Sequence, residues 1–431
     1  MPGSAARVLK SLSHQTPDRT PLFELFQPYQ PIHWDICGRT IATDQALAWD
    51  AMADGVAWEE LVKAEVEAEY AIRKFFGLDM VRLNGAPSRH YARPVKTGKH
   101  RWTLDGVPYH LNERTRLIEL ENPNQALSDS QKISEEELRR QIESWDGRAP
   151  VGSADPDPVM KGVQELARRD GLDWVFMGEI GAGTGVAFYP PFQLIWLLEE
   201  PELHRRWMEM QKARGFSQTR RAIEEGCTVI AMGGDVSCDK GPFISPALYH
   251  EFILPAIQEH VDLIHGLGAK AVYTSDGNHW PIKDDFFFNS GIDGYKEVDK
   301  AAGMTWPRLI AEGVAERVCI IGNLDARHTL CRGTPEEARQ ETVECLRFGR
   351  TTRGGHIFHS SHSVHEDVKG ENYHAAVMAY REFFGLGPLP ERRGGWDAWD
   401  RQIEKDSASG KHDFLVKEAE EEKEQGGLRP L

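Results

Sequence analysis

Short apolar runs that end in a polar residue recur along the chain, and each is followed by a stretch with helical spacing. Eight such runs are present, at residues 21–26, 80–84, 174–178, 229–233, 270–275, 294–298, 318–322 and 356–359. Strand-like runs that alternate with helices are typical of βαβ units and of a parallel sheet. Eight units in one chain favour a closed (β/α)8 TIM barrel over an open sheet.

End signals mark two of the helices between these runs. Residues 246–267 have apolar side chains at helical spacing and are followed by Gly268, a common helix stop. Residues 335–350 follow Thr334, with Glu337 three positions later, which is the pattern of a capping box. We also predict helices over residues 163–170 and 201–224.

A long segment separates the second and third predicted strands, and we predict an insertion there at about residues 85–170. Residues 91–121 alternate around Asp105 and Gly106, a pair that favours a β-hairpin, and residues 131–145 predict a helix. The hairpin is either a decoration of the barrel or a lid over its site. The predicted division is therefore one barrel over residues 1–390, with this insertion, and a polar C-terminal tail over residues 391–431.

Charge and cysteine content narrow the classes of partner. The net charge is −16, from 67 acidic and 51 basic residues. Such a surface repels nucleic acid and anionic membranes. The 6 cysteines have no repeating spacing, residues 1–11 lack a signal-peptide core, and no run of apolar residues is long enough to span a membrane. We expect a cytoplasmic protein with reduced thiols and a small-molecule substrate.

The fold prediction turns the strand list into a list of candidate site residues, because TIM-barrel active sites lie at the C-terminal ends of the strands. The polar residues that follow the predicted strands are Asn84, Glu179, Asp235, Asp276, Glu297, Asn323, Asp325, His359 and His362.

Two aspartates in this set follow predicted strands beside glycines. Asp235 comes after the pair Gly233 and Gly234, and it is either a site carboxylate or the first residue of a turn. Asp276 directly precedes Gly277. It is a candidate general base, metal ligand or anchor for a substrate nitrogen, and the alternative is an Asp-Gly turn.

Four histidines lie three residues apart in HIFHSSHSVHE, residues 356–366. This density is compatible with a zinc site. However, residues three apart on a strand point to opposite faces, so His356 and His359 cannot both face the site there. A histidine general acid, or polar loop residues without a catalytic role, are the alternatives.

Several segments together resemble the uroporphyrinogen decarboxylase superfamily. They are GGDVSCDKGPFISPALYHEFILP, HGLGAKAVYTSDGN, GNLDARHTLCRGTPEEARQET and GGHIFHSSHSV, which extend in order from about residue 233 to 385, with weaker matches at residues 16–24 and 75–81. The resemblance implies the TIM-barrel fold. It also implies one of two chemistries: cofactor-free decarboxylation of porphyrinogens, or methyl transfer to or from a corrinoid or thiol, usually on zinc.

The chain departs from the patterns of both groups. The decarboxylases carry an arginine-rich segment after the first strand, whereas residues 24–38 here contain no lysine or arginine, which disfavours a substrate with eight carboxylates. The zinc methyltransferases carry His-x-Cys-Gly after the fifth strand and a Cys after the eighth. This chain has Thr-Ser-Asp-Gly at 274–277 and the region of His359 and His362 instead. A thiolate site is excluded, but Asp276, His362 and Glu179 could supply an oxygen and nitrogen site for zinc.

The function that we favour is that of a corrinoid-linked methyltransferase that acts on an O- or N-methyl donor. Asp276 and His362 would bind or protonate the leaving group. The remaining assignments are a supporting role for Asp235 and Glu179, and substrate contacts for Asn84, Tyr273, Asn323, His359 and Trp34. Without a methyl-transfer role, Trp34 is core packing.

Two other classes of function stay open. One is a cofactor-free decarboxylase of a smaller or neutral substrate, and the other is a binding barrel that has lost its chemistry. The methyltransferase reading requires a separate corrinoid protein, since the chain contains no Asp-x-His-x-x-Gly corrinoid motif. The resemblance suggests a monomer or a homodimer.

Overall fold

The computed structural model describes residues 3–86, 89, 93–122, 134–149, 157–180 and 192–393. Within them the strands, numbered along the chain, are β1 (Phe23–Glu24), β2 (Met80–Val81), β3 (Val95–Gly98), β4 (Arg101–Leu104), β5 (Val107–Leu111), β6 (Ile118–Leu120), β7 (Val175–Ile180), β8 (Val229–Gly233), β9 (Ser237–Cys238), β10 (Gly241–Pro242), β11 (Lys270–Thr274), β12 (Gly294–Lys296), β13 (Cys319–Ile321) and β14 (His356–Ile357).

The α-helices of the described residues are α1 (Ser4–Ser11), α2 (Pro31–Cys37), α3 (Gln45–Ala53), α4 (Trp58–Phe76), α5 (Glu135–Ser144), α6 (Pro158–Arg169), α7 (Phe192–Glu199), α8 (Pro201–Glu224), α9 (Pro246–Leu248), α10 (Leu254–Gly266), α11 (Trp306–Ala311), α12 (Pro335–Gly349) and α13 (Gly370–Phe383). Short π-helical segments are Tyr249–Ile253, Asp284–Asn289 and Ala326–Arg332, and 3₁₀ turns are Trp280–Ile282 and Val314–Glu316.

Eight parallel strands form the barrel, in the order β1-β2-β7-β8-β11-β12-β13-β14. A parallel bridge between Leu22 and Phe358 joins the last strand to the first. The Phe23 amide donates to the Phe358 carbonyl at 3.0 Å, which closes the ring. Each barrel strand lies within or overlaps one of the eight predicted runs, so the predicted TIM barrel is confirmed.

Alternation along the strands separates two apolar layers. One layer fills the barrel and includes Phe23, Met80 and Val272, while the other lies between the strands and the helices and includes Leu22, Val81 and Tyr273. This division follows from the two-residue period of a strand. The same period decides which polar residues at the strand ends face the barrel mouth.

The insertion contains more sheet than the hairpin that the sequence predicts. Strands β3 to β6 form a four-stranded antiparallel sheet. Asp105 and Gly106 join β4 to β5, with φ angles of 51° and 78°, as a tight hairpin turn requires. Helix α5 covers most of the helix predicted at 131–145, although residues 131–133 lie outside the described part of the chain.

The predicted insertion, about residues 85–170, includes helix α6 at its C-terminal end. Helix α6 packs on α4 and directly precedes β7, so it is the barrel's own helix between two neighbouring strands. Of the predicted C-terminal tail, only residues 391–393 are described. In the described part of the chain no helix is long and apolar enough to cross a membrane.

The predicted helix ends are present. Thr334 and Glu337 form the capping box that begins α12. Gly268, with φ of 82°, ends the helix predicted over 246–267, whose middle contains a π-helical segment. The predicted helix over 201–224 is α8.

Candidate active site

Two loops at the C-terminal end of the barrel are held side by side. The Val236 amide donates to Ser275 Oγ at 3.2 Å, which joins the loop after β8 to the loop after β11. Gly277, with φ of 87°, lies so close to the other loop that a Cβ atom there would be 2.9 Å from the Ser237 backbone. The carboxylates of Asp235 and Asp276 are therefore presented next to each other.

The proximity of these carboxylates changes their acidity. Burial, followed by repulsion from Asp235 and Glu297, raises the pKa of Asp276 to about 6. The pKa of Asp235 is also raised, first by loss of hydration and then by repulsion from Glu297, although a hydrogen bond with Asp276 opposes the shift. Two carboxylates that share a site do not ionise independently. The pair therefore holds a proton closer to neutral pH than an isolated aspartate does.

Glu297 is the third carboxylate of this group, and its backbone is in the left-handed region with φ of 67°. This conformation is uncommon for a residue other than glycine and is concentrated at functional sites. Burial alone raises the pKa of Glu297, but the charge and hydrogen bond of Lys296 outweigh it, so the pKa is lowered. Lys296 Nζ lies 2.9 Å from Glu297 Oε1.

A row of alternating charges continues from Lys296 across the barrel mouth. The Lys296 side chain is fully buried, and its Nζ lies 3.6 Å from Glu179 Oε1. The other oxygen of Glu179 pairs with Arg82 Nε at 2.9 Å. Glu179, predicted as a supporting catalytic residue and metal ligand, is placed between two cations.

His362, the predicted partner of Asp276, is exposed after β14, and its Nδ1 lies 3.0 Å from Ser363 Oγ. Its charge lowers the pKa of both Asp235 and Asp276, so it lies close enough to interact with the two carboxylates. The structure therefore brings together four of the residues predicted at the strand ends, Asp235, Asp276, Glu297 and His362.

Two of the predicted substrate contacts point elsewhere. Tyr273 is fully buried in the layer between barrel and helices, where its ring packs on Phe286 and its hydroxyl donates to the Gly234 carbonyl at 3.3 Å. Asn323 is also buried, and its Nδ2 donates to the Met304 carbonyl at 3.0 Å. Because these side chains have internal partners and no access to the mouth, their placement does not support substrate contact.

The other three predicted contacts, Asn84, Trp34 and His359, also lie against protein groups: His359 is buried, with Nδ1 2.7 Å from Glu24 Oε1. Asn84 accepts from Arg82 at 2.7 Å and donates from Nδ2 to Glu69 at 3.2 Å. Trp34 donates from its indole to the Thr43 carbonyl at 2.7 Å, and the Arg39 guanidinium lies 4.9 Å from its ring. Both the Asn84 and the Trp34 side chains therefore have partners within the protein.

The insertion sheet reaches the loop that carries the histidines. Arg114, between β5 and β6, donates to Asp367 at 2.6 Å. The Asp367 amide donates to Nδ1 of His365, whose ring centre lies 6.1 Å from that of His362. The sheet therefore borders the candidate site.

The residues predicted to hold zinc do not fit a metal ion as they are placed. Among the described residues, no three His, Cys, Asp or Glu side chains are grouped as ligands of one metal ion. Glu179 in particular directs its oxygens to Arg82 and Lys296.

The list of residues that follow the predicted strands does not contain Lys296 or Arg82. The sequence nevertheless carries a signal for both, because each is a charged residue within a short apolar run, GYKEV for Lys296 and MVRLN for Arg82. Charged side chains in a barrel strand are rarely buried without a partner. Such residues indicate that a strand contributes to a buried polar network.

Comparison of the sequence with models of known protein families identifies the family of this chain. The profile of the family described as uroporphyrinogen decarboxylase (URO-D) matches residues 155–383, which is more than half of the chain. The chain therefore belongs to the uroporphyrinogen decarboxylase family.

Individual relatives match over a smaller part. The uroporphyrinogen decarboxylase of Photobacterium profundum is 29% identical over 149 residues, and that of Xanthomonas oryzae is 31% identical over 150 residues. These matches cover 33% and 32% of this chain and 39% of each relative. A solved methyltransferase from Methanosarcina mazei is 17% identical, with a TM-score of 0.58, over 89% of this chain and 99% of that one. That likeness supports the barrel fold.

Proposed function

We propose that this protein is a methyltransferase that removes a methyl group from a neutral or cationic O- or N-methyl donor. Asp276 is the general acid, Asp235 and Glu297 hold its proton near neutral pH, and His362 orients or protonates the same leaving group. The observation that carries the proposal is the charge of the barrel mouth. Three carboxylates meet there, while the neighbouring cations Lys296 and Arg82 are already paired.

This charge discriminates between the two chemistries of the family. The pair Asp235 and Asp276 offers no cation to a porphyrinogen with eight carboxylates, Lys296 is already paired with Glu297, and residues 24–38 contain no lysine or arginine to bind it. A neutral ether requires no cation, and a methylated amine with a positive charge is attracted. The methyl donor is therefore the better fit.

The proton on Asp276 has a direct use in this reaction. As the methyl group leaves as an electrophile, the bond from oxygen or nitrogen to carbon breaks and its electron pair stays on the heteroatom. For an ether this atom becomes an alkoxide or phenoxide, which is a poor leaving group, and proton transfer from Asp276 makes it a neutral alcohol. A quaternary amine leaves as a neutral amine and needs positioning more than protonation.

The methyl group needs a nucleophile as its acceptor. We propose a corrinoid carried by a separate protein, because the chain has no corrinoid motif of its own. We propose the bordering sheet β3–β6 and the loop of His362, which are joined by the contact between Arg114 and Asp367, as the surface that meets such a partner. The likeness to a solved methyltransferase is compatible with this reaction.

The second candidate is a cofactor-free decarboxylase of a smaller substrate. The relatives in the matched segment, which are named uroporphyrinogen decarboxylases, favour it. In that reaction Asp276 would protonate the carbanion left when CO₂ departs.

The test uses free cob(I)alamin as the acceptor and ¹³C-methyl-labelled donors: aryl methyl ethers, methylamines and quaternary methylammonium ions. We expect methylcobalamin to form with at least one donor and the rate with an ether to fall above about pH 6, as Asp276 loses its proton. Asp276→Asn should lower that rate by about 10²–10⁴-fold. Asp239→Asn, an exposed carboxylate of a neighbouring loop, is the matched control and should keep the native rate.

Failure of every donor class to form methylcobalamin would contradict the methyltransferase. Release of ¹³CO₂ from a carboxyl-labelled pyrrole acetate in the same preparation, without any acceptor, would establish the decarboxylase instead.

A further inference from the structure

Lys296 and Glu297 are consecutive residues whose side chains meet on the same side of a barrel strand. Tyr295 lies in the layer between strands and helices, so alternation directs Lys296 to the barrel interior and would direct Glu297 away from it. Lys296 Nζ nevertheless donates to Glu297 Oε1 at 2.9 Å. The left-handed backbone of Glu297, with φ of 67°, breaks the alternation and returns this carboxylate to the interior.

One buried cation is shared here between two carboxylates. The Lys296 side chain is 0% exposed, and its Nζ lies 3.6 Å from Glu179 Oε1 as well as 2.9 Å from Glu297 Oε1. Arg82, the other cation of the row, pairs with Glu179 at the rim, where 26% of its side chain is exposed and solvent screens its charge. Lys296 therefore holds the Glu297 carboxylate in place without cancelling the negative charge of the two glutamates.

Solvent reaches Glu297 from the barrel mouth. Its side chain is 12% exposed, although the lysine that binds it is fully buried. In the described part of the chain Lys296 is the one hydrogen-bond donor to this carboxylate. Asp276 is partly exposed and Asp235 is exposed, so all three carboxylates of the mouth are accessible. A ligand can therefore contact Glu297 without displacing Lys296.

The ionisation of Glu297 differs from that of Asp276. The titratable groups that interact with Glu297 at the mouth are Lys296, Asp235, Asp276, His359 and His362. Burial raises the pKa of Glu297, but the charge and the hydrogen bond of Lys296 outweigh it and lower the pKa. The pKa of Asp276 is instead raised to about 6, by burial and by repulsion from the neighbouring carboxylates. In mildly acidic solution Glu297 is therefore charged while Asp276 holds a proton.

We propose that Lys296 is a positioning residue that holds the Glu297 carboxylate as an anion facing the mouth, and that Glu297 binds the positive charge of a methylated ammonium substrate. The inference rests on the proposed function and narrows its substrate: a cationic N-methyl donor is bound in preference to a neutral donor of the same shape. A cation gains from the nearby carboxylate a charge interaction that a neutral molecule of equal size does not.

The preference for charge is tested with choline and 3,3-dimethylbutanol, which have the same shape and differ in a cationic nitrogen against a neutral carbon. Calorimetric titration near pH 5 gives the affinity of each while Asp276 is protonated, so that Glu297 is the charged partner. We expect choline to bind the native protein about tenfold more tightly. Equal affinities, or binding of neither ligand, would overturn the inference.

Glu297→Gln removes the charge but keeps the size of the side chain, and the preference should disappear. If this variant does not fold, Glu297→Asn replaces it, because asparagine tolerates a left-handed backbone better than most residues. Asp239→Asn, at an exposed aspartate between β9 and β10, is the matched control and should keep the preference to within about twofold. A preference that survives the loss of the Glu297 charge would contradict its binding role.

Lys296→Met, or Lys296→Gln if the first does not fold, tests the positioning role through its dependence on pH. Without the lysine, Glu297 should be protonated near pH 5, where the preference for choline is lost, and should ionise near pH 9, where the preference returns. In a double variant with Glu297→Gln the preference near pH 9 should be about tenfold smaller, which separates Glu297 from Asp235 and Asp276.

A native preference near pH 5 in the Lys296 variant would overturn the role of Lys296. Equal preferences of the single and double variants near pH 9 would overturn it as well. None of these measurements needs methyl transfer. An absence of methylcobalamin formation with the preference for choline intact would overturn only the proposed function.

Discussion

Aspartates at the two ends of the barrel have opposite surroundings. Asp79 precedes β2 at the N-terminal end, where Arg7 contacts one of its oxygens at 2.6 Å, Arg19 contacts both at 2.6 and 2.9 Å, and the Leu22 amide donates to it at 2.9 Å. Asp276 follows β11 at the C-terminal end, and its nearest charges include two other carboxylates. One aspartate is surrounded by donors, and the other is surrounded by groups that oppose its charge.

The different surroundings of Asp79 and Asp276 correspond to different roles: the N-terminal end of the barrel contributes to stability, and the C-terminal end carries the candidate site. In TIM barrels the N-terminal face serves stability and the C-terminal face carries catalysis. Partners that favour the charged aspartate hold α1 and β2 together, whereas neighbours that disfavour it keep a proton available. We therefore expect substitutions at the two ends to change the free energy of unfolding in opposite directions.

The largest effect is expected at the N-terminal end. Asp79→Asn leaves Arg7 and Arg19, both largely buried, without their common counter-charge, so the free energy of unfolding should fall by about 3 kcal/mol. Urea unfolding measures the loss. Asp54→Asn, at an exposed aspartate after α3, is the control and should change the value by less than about 0.5 kcal/mol. A loss below about 1 kcal/mol for Asp79→Asn would remove the contrast between the two ends.

Asp276→Asn is expected to raise the free energy of unfolding, in contrast to Asp79→Asn. The folded state raises the pKa of Asp276 from 3.8 to about 6, so the folded protein binds this proton more tightly than the unfolded chain does. The native protein therefore loses stability as the pH rises from 3.8 to about 6, and the full penalty remains above that range. Asp276→Asn removes the penalty and should raise the free energy of unfolding by about 1–3 kcal/mol at pH 7.

The control for Asp276→Asn is the free energy of unfolding measured near pH 4 as well as at pH 7. Near pH 4 Asp276 is protonated in the folded native protein, so native protein and Asp276→Asn should have nearly equal stability. A variant that is less stable than the native protein at pH 7 would show that Asp276 is a structural aspartate like Asp79.

The smallest change in the free energy of unfolding is expected for a substitution in the insertion sheet, β3–β6. Arg114→Met removes the contact with Asp367 at the surface, so global stability should change by less than about 1 kcal/mol. Amide hydrogen exchange of residues 112–117 and 363–368 should nevertheless increase, because the sheet then no longer braces the His362 loop. Arg101→Met, whose ion pair with Glu121 lies within the insertion, should leave residues 363–368 unchanged. No change in either segment after Arg114→Met would favour decoration of the barrel over a role at the mouth.

The barrel could be predicted from the sequence because its signals are local and repeated. Each strand is a short apolar run, and helix ends such as Thr334 and Gly268 carry their own chemistry. The strand-end rule likewise placed Asp235, Asp276 and His362 at one end of the barrel.

The pairing of charges could not be predicted in the same way. Lys296, Glu179 and Arg82 come from strands far apart in sequence, and only the closed ring makes them neighbours. The direction of a side chain near a strand end also depends on the folded structure: Asn323 follows a strand as the site residues do, and Tyr273 lies within one, yet both are buried with internal partners. Alternation from a known interior residue would have identified Tyr273 as outward-facing.

The missing side chain at Gly277 determines how much the site can vary. A Cβ atom there would be 2.9 Å from the Ser237 backbone, so contact between main-chain atoms, together with the hydrogen bond from the Val236 amide to Ser275 Oγ, sets the distance between the two carboxylate loops. A distance set by main chain is insensitive to exchanges in the surrounding core, but any larger residue at this position would push the loops apart. Related proteins that act on different substrates could therefore keep the Asp235 and Asp276 pair in the same geometry, as long as the position of Gly277 remains glycine.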